Sequence, residues 1–339
     1  MLTDLNDRYR HKANGLRLVL LAMVSLAPVL FLVACDDTAP RTKGFSSSTK
    51  TIQSTHYRSL VDIYTTFEYE WDDLDSGVPP LLLRRFPTDM HLIRSVQDKK
   101  EFFFQSMLPL ALLGNQEIRQ HRRTVDYLLA LHDAGETLSL HQHEELIKIQ
   151  NYYKVPGDIL NDPGARKIML RRVDIVPPSL ILSQAANESG WGMSRFAQHA
   201  NNIFGEWTFR PGTGLVPEER PDGEIYEVKR FPDLFASIRS YLRNLNTHSA
   251  YRSMRIMRQK MRLNGKPLTG YDLASEMRFY STRRDEYVDE IRDMIRSNSL
   301  DDLNRLRLLP EAKKTAEDLP TKKGGLMSSR EKISRQSKS

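Results

Sequence analysis

Asn187-Glu188-Ser189-Gly190-Trp191-Gly192 closes an apolar run that begins at Leu180, and it combines a carboxyl group with an aromatic wall in one short turn. If the chain is helical from Ser179, then Ile181, Gln184, Ala185 and Glu188 fall at i, i+3, i+4 and i+7. Glu188 thereby continues the inward-facing stripe. Desolvation favours the neutral form of a carboxyl group, and a carboxyl that keeps its proton is what general-acid chemistry requires. Trp191 sits between two glycines that end the helix and let other backbone come close. The plain alternative is a helix-terminal glutamate facing water or pairing with Arg195.

Asn201-Asn202-Ile203-Phe204-Gly205 begins nine residues after Gly192. The composite pattern ESGWG-x-S-R-F-A followed by NN-x-FG resembles the glucosaminidase-type peptidoglycan hydrolases of glycoside hydrolase family 73, with the Bax-like branch as the nearest match. Val176-Pro177-Pro178-Ser179, Gly214-Leu215-Val216-Pro217, residues 231–240, Asn244 to His248 before Tyr251, Tyr280-Ser281 and Tyr287-Val288 add to it. The resemblance covers residues 166–297, and several ordered motifs are far more specific than one short pattern.

The resemblance implies a mainly α fold: a lysozyme-like helical core with a small β-hairpin lobe, preceded by a helical N-terminal domain. It also implies an endo-β-N-acetylglucosaminidase acting on peptidoglycan glycan strands, without a cofactor. Glycosidic cleavage pairs a carboxylic acid that protonates the leaving oxygen with a second carboxylate across the sugar. Glu188 is the candidate acid. The family places a second acidic residue on the β element, and Glu224 and Glu227 lie 36 and 39 residues after Glu188. Glu227 is preferred, because Tyr226-Glu227-Val228 leading to Phe231 is closer to the Bax-like pattern. Either glutamate could instead be an exposed hairpin charge. Retaining, inverting and substrate-assisted routes all remain open.

Candidate substrate contacts are Trp191, which could stack on a sugar face, Asn201 and Asn202, Phe204, and Tyr280. Against these stand loop capping by the asparagines and a tyrosine satisfied within its own helix. Glu206 follows Phe204-Gly205 where relatives often carry an apolar residue, so it reads as a modifier of the cleft and not as a catalytic group. Trp207 and Phe209 read as core or cleft wall. A lytic transglycosylase or muramidase also carries a Glu-Ser pair on a core helix, and a non-catalytic wall-binding module would keep the fold for affinity alone.

The elements that must position these residues follow from periodicity. Residues 102–113 are strongly apolar and read as a helix kinked or broken at Pro109. Residues 118–131 and 140–153 read as amphipathic helices, the second with Leu146, Ile149 and Tyr153 on one face. Turn residues Pro221-Asp222-Gly223 and alternation from Ile225 to Lys229 predict a hairpin within residues 215–230. Phe235, Ile238, Leu242 and Leu245 give a helical stripe. His141 and His143 diverge by about 200 degrees on a helix, which argues against a metal site.

At 339 residues the chain has room for two or three domains. Arg8, Arg10, Lys12 and Arg17 precede an apolar run from Leu18 to Ala34, the build of an export signal. Leu32-Val33-Ala34-Cys35 resembles a bacterial lipobox, which makes Cys35, the single cysteine, the candidate lipidation site; an uncleaved anchor is the alternative. The resulting division is an anchor at 1–35, a flexible tether at 36–58, a helical domain at 59–165, the catalytic domain at 166–300, and a basic, largely disordered tail at 301–339. The expected location is the periplasmic side of the cell envelope, membrane-anchored, with the inner membrane favoured by Asp36. A net charge of +7 suits anionic surfaces. An export signal without any nucleic-acid motif excludes nucleic acid as a partner.

Overall fold

The computed structural model describes residues 49–310. Two strands, β1 (Lys50–Ile52) and β2 (Leu81–Leu83), pair in parallel, with α1 (Tyr57–Thr66) between them in sequence. Helices α2 (Val96–Asp133), α3 (Leu140–Tyr152), α4 (Pro163–Arg172) and α5 (Pro178–Ser189) follow. After α6 (Arg195–Ala200) comes a three-stranded antiparallel sheet of β3 (Trp207–Thr208), β4 (Gly214–Leu215) and β5 (Glu227–Lys229), in the order β3-β5-β4. Helices α7 (Leu234–Thr247), α8 (Arg252–Leu263), α9 (Gly270–Ala274) and α10 (Asp285–Ser297) complete the helical core. The fold is thus mainly α with a small β lobe, as the sequence led us to expect. The hairpin is present as β4 and β5, widened by β3 on the other edge of β5.

Helix α5 lies at the centre, packed against α2, α9, α10 and the 3-10 helix Leu300–Arg305. Residues 178–186 are all buried, so the helix has no solvated face and the expected single stripe is an underestimate. Close approach on its N-terminal side depends on Gly270, whose N–H donates to Ser179 Oγ at 3.0 Å. A Cβ there would stand 2.6 Å from the backbone nitrogen of Leu180. On α7, Phe235, Ile238, Leu242 and Leu245 are buried as the stripe required.

The break expected at Pro109 does not occur: α2 runs through it for 38 residues. Proline has no N–H, so the carbonyl of Gln105 loses its partner within the helix. Tyr69 supplies the missing donor, its hydroxyl reaching Gln105 O at 3.1 Å, while Gln105 Nε2 donates to Tyr69 O at 2.5 Å. The unbroken helix serves two cores. Residues 102–113 pack with α5 and α7, whereas Val125, Leu128 and Leu129 join Leu146, Ile149 and Tyr153 of the α3 region and Met169 of α4. The cores therefore do not divide at residue 165, where a boundary between a helical and a catalytic domain was expected. In α3, Ser139 and Gln142 form a capping box, which leaves His141 and His143 exposed on the helix surface.

Both expected flexible ends are shorter than the sequence suggested. Ile52 is buried in β1, inside the segment read as tether to residue 58. Leu303 and Leu306 are buried and Leu309 N donates to Val78 O at 2.8 Å, so the segment read as tail from 301 is folded to residue 309. Residues 1–48 and 311–339, with Cys35 and most of the basic tail, lie outside the described residues.

Replacing Tyr69 by phenylalanine leaves the Gln105 carbonyl buried and unsatisfied. The expected loss is about 1 to 3 kcal/mol of stability, read as a lower urea midpoint; an unchanged midpoint would show that α2 tolerates Pro109 without this donor.

Candidate active site

Glu188 stands in the last turn of α5, and the chain is forced to turn sharply just beyond it. Gly190, Trp191 and Gly192 all take positive φ, at 56, 60 and 76 degrees. For tryptophan this conformation costs about 1 to 2 kcal/mol, offset by local bonds and packing. Trp191 N donates to Ala186 O at 3.0 Å, and Ser189 Oγ donates to Ala185 O while accepting from Gly192 N at 2.8 Å. The indole lies edge-on to Phe103 and Phe104, with centroids 5.7 and 5.3 Å away. Gly192 is pressed on Phe86, where a Cβ would meet the ring at 2.8 Å. Trp191 is thus wedged against α2, half-buried, with Lys100 Nζ 5.6 Å from the ring centre.

The Glu188 carboxyl is half-buried and its pKa is raised, chiefly by burial. Its place at the helix C-terminus, the negative end of the dipole, acts in the same direction. Hydrogen bonds from Tyr287 and Asn187 and the charge of Arg283 oppose the shift without cancelling it. Arg283 is itself committed to Glu290, with Nη2 2.6 Å from Glu290 Oε2. Arg195, the plain alternative partner, instead faces Val216 O and Glu218.

A buried relay fixes the orientation of this acid. Tyr241 OH donates to Gln184 Oε1 at 2.5 Å, Gln184 Nε2 donates to Tyr287 Oη at 2.7 Å, and the Tyr287 hydroxyl is left to donate to Glu188. Around it, Tyr280 stacks on Tyr287 at 5.5 Å and lies near Tyr241 and Tyr251, while Phe204 stacks on Tyr241 at 3.8 Å. The Tyr280 hydroxyl points to Phe204 O at 3.4 Å. The result is an aromatic basket around one carboxyl group. Burial raises the phenol pKa of Tyr241, Tyr280 and Tyr287 well above the usual value, which keeps them as neutral donors.

Several expected substrate contacts turn out to hold the loop together. Asn201 is a left-handed helix cap whose Nδ2 donates to Phe231 O at 3.0 Å. Asn202, 1% exposed, donates to Glu206 O and Lys229 O at 2.8 Å and accepts from Glu206 N at 3.0 Å. Both Nδ2 groups, and the Asn202 Oδ1 as well, are thus engaged with backbone. Phe204 is likewise buried, as a support for Tyr241. Tyr280 and Trp191 keep partial exposure.

The three acidic candidates beyond Glu188 differ sharply. Glu224 is exposed in the turn before β5, and its N–H closes that turn on Pro221 O. Glu227 is buried in β5 with Oε1 accepting from Gly212 N at 2.8 Å and Oε2 from Gly214 N at 2.7 Å. These backbone donors, Gly212 first, hold its carboxyl below the usual range, so it stays ionised. Glu206, set aside by sequence reasoning, has both its backbone polar groups gripped by Asn202 and its Oε2 on Ser240 Oγ at 2.6 Å. Tyr251 feels the charges of both Glu206 and Glu188, so this carboxyl shares the neighbourhood of the acid. The sequence signal was present: an acid directly after NN-x-FG, beside a helix carrying Ser240 and Tyr241.

Residues 165–300 match the Glucosaminidase family, described as mannosyl-glycoprotein endo-beta-N-acetylglucosaminidase. The domain holding Glu188 is thus a glycosidase domain of the glucosaminidase type. Protein bax of Escherichia coli (strain K12) is 29% identical over 220 residues, covering 64% of this chain and 73% of the relative. The chain thus carries a glucosaminidase-type domain and is similar to this relative. The catalytic domain of the autolysin Auto from Listeria monocytogenes aligns over 49% of this chain and 98% of its own, at 20% identity and a TM-score of 0.30.

A raised carboxyl pKa carries a stability signature. The folded state binds the proton more tightly than the unfolded chain, so this contribution is full at low pH and is lost as pH rises through the folded-state pKa. Glu188→Gln, which cannot ionise, is therefore expected to melt higher than the wild type at pH 7 and to lose that advantage near pH 4. Thermal unfolding at both pH values checks this; a lower Tm for the variant at pH 7 contradicts a sheltered proton.

Proposed function

We propose that this protein is an endo-β-N-acetylglucosaminidase that hydrolyses the glycan strands of peptidoglycan, with Glu188 as the general acid. The observation that carries the reading is the half-buried carboxyl at the end of α5, its pKa raised and its orientation set by the Tyr287 hydroxyl. Membership of a glucosaminidase-type family supports the bond cleaved. The ESGWG and NN-x-FG motifs support the polymer.

In this mechanism Glu188 gives its proton to the glycosidic oxygen as the bond to the anomeric carbon breaks. Tyr287 then stabilises the carboxylate left behind. Positive charge gathers on the sugar ring, and a second carboxylate stabilises it or prepares water to add at the anomeric carbon. We assign that role to Glu227, the candidate that the Gly212 and Gly214 amides hold ionised. Glu224, exposed in its turn, is assigned none.

Removing a general acid typically costs about 10²- to 10⁴-fold in rate, so Glu188→Gln should release reducing ends from purified peptidoglycan at least about a hundredfold more slowly with its fold intact. Binding without cleavage by the wild type would make the protein a wall-binding module. Glu227→Gln, Glu224→Gln and Glu206→Gln, assayed together, choose the second carboxylate: the loss should be confined to Glu227, and a loss confined to Glu206 would move the role there. Mass spectrometry of the products should find N-acetylglucosamine at the reducing end. Reducing N-acetylmuramic acid or its 1,6-anhydro form would identify a muramidase or a transglycosylase instead.

We also place the protein on the periplasmic side of the cell envelope, anchored at the inner membrane through an acylated Cys35. The support is the sequence of residues 8–36. No helix among the described residues is long and apolar enough to cross a membrane. Cys35→Ala should move the chain out of the lipid-modified fraction, seen as loss of fatty-acid labelling; unchanged labelling would reject this anchor.

A further inference from the structure

The opposite end of α5 faces a cavity of about 340 Å³, well away from Glu188. Twelve residues at 1.5 Å each separate the two ends by about 18 Å. The size is that of a small-ligand cleft. Its wall carries Arg119, Arg262, Arg305 and Arg307 with Asp301 and Asp302; Arg262 is paired with Asp174 and Arg305 with Asp75, which leaves Arg119 and Arg307 without an acidic partner among the described residues.

The acidic groups nearby are already committed. Asp174 holds Arg262 at 2.8 Å and Arg258 at 3.5 Å. Asp301 Oδ1 accepts from Gly270 N and Asn304 Nδ2, both at 2.8 Å. Asp302 is exposed. Arg119 is half-buried and makes no hydrogen bond or ion pair among the described residues. Burial lowers its pKa, and the charges of Arg307, Arg262 and Arg123 lower it further, with Asp174 opposing. A half-buried cation hemmed in by other cations raises the energy of the fold unless an anion arrives from outside.

The first turn of α5 also opens here: its Ser179 N–H is taken by the neutral Asn304 Oδ1 at 3.1 Å, and no acidic side chain of the turn offsets the positive end of the helix dipole. Arginine forks match tetrahedral oxyanions in bidentate geometry. A phosphomonoester carries close to two negative charges at neutral pH and several acceptor oxygens, so it can engage Arg119 and its neighbour Arg307 together.

We propose that this cavity is a second binding site, for a phosphomonoester or diphosphate group, with Arg119 as the principal ligand. The group would come either from a soluble phosphorylated molecule or from a lipid headgroup. Each would bring the same chemistry.

The test uses the full chain in a phosphate-free buffer, with pyrophosphate as the calorimetric titrant. The wild type should bind one equivalent, Arg119→Gln should bind at least tenfold more weakly, and Arg296→Gln, on the exposed face of α10, should bind like the wild type. Without ligand, Arg119→Gln should melt no lower than the wild type, because it removes like-charge repulsion. With pyrophosphate, only the wild type and Arg296→Gln should gain Tm. Flotation with phosphatidic acid vesicles, against phosphatidylcholine alone, separates the sources: Arg119-dependent capture assigns the headgroup, and pyrophosphate binding without capture assigns a soluble ligand. Absence of both, equal binding by Arg119→Gln, or a Tm several degrees lower for unliganded Arg119→Gln would overturn the site.

Discussion

Everything in this protein is arranged around a helix with no solvated side. Because α5 is surrounded by α2, α9, α10 and the final 3-10 helix, its residues can be satisfied only by other parts of the chain. Ser183 and Ser189 turn their hydroxyls back on the helix, and Gln184 bridges two tyrosines. The first place where a polar group can escape is the last turn, and Glu188 is there. Desolvation and the helix dipole combine on one carboxyl, while Tyr287 keeps it from swinging away.

The β lobe reaches the same region by another device. Asn202 holds the loop that follows α6 by its backbone, so the direction of Glu206 is set before any side chain is considered. Glu227 does the reverse, a side chain that organises the backbone of residues 212–214. An ionised carboxylate and backbone amides stabilise each other here, whereas Glu188 is denied such donors. Two glutamates in one domain thereby have their pKa values pushed in opposite directions, a division of labour that glycoside cleavage exploits.

The sequence was legible where one period or one turn governs the outcome. The apolar run into Glu188, the alternation ending at Lys229 and the stripe of Phe235, Ile238, Leu242 and Leu245 all express short-range rules. It was misleading where a distant group compensates a local defect. Pro109 predicts a break until Tyr69, forty residues earlier, supplies a donor. Asn201 and Asn202 carry sugar-binding groups in principle, but three-dimensional neighbours take both Nδ2 groups and the Asn202 Oδ1. Ile52 and Leu303 sit in segments too polar on average to announce a fold, yet each fills a gap left by elements far away in sequence. Glu206 was visible as an oddity, and only the placement of Asn202, Ser240 and Tyr251 gives it a context.

The unbroken α2 has a bearing on how the chain can be taken apart. Residues 165–300 match a family by themselves, but the wall on which Trp191 leans is made of Phe103 and Phe104, outside that span. Excising the matched segment would strip α5 of one flank and lay bare a large oily surface. The hydrolytic piece and its neighbour share one core through these contacts. Anyone recombining this enzyme with other binding units must carry the long helix along.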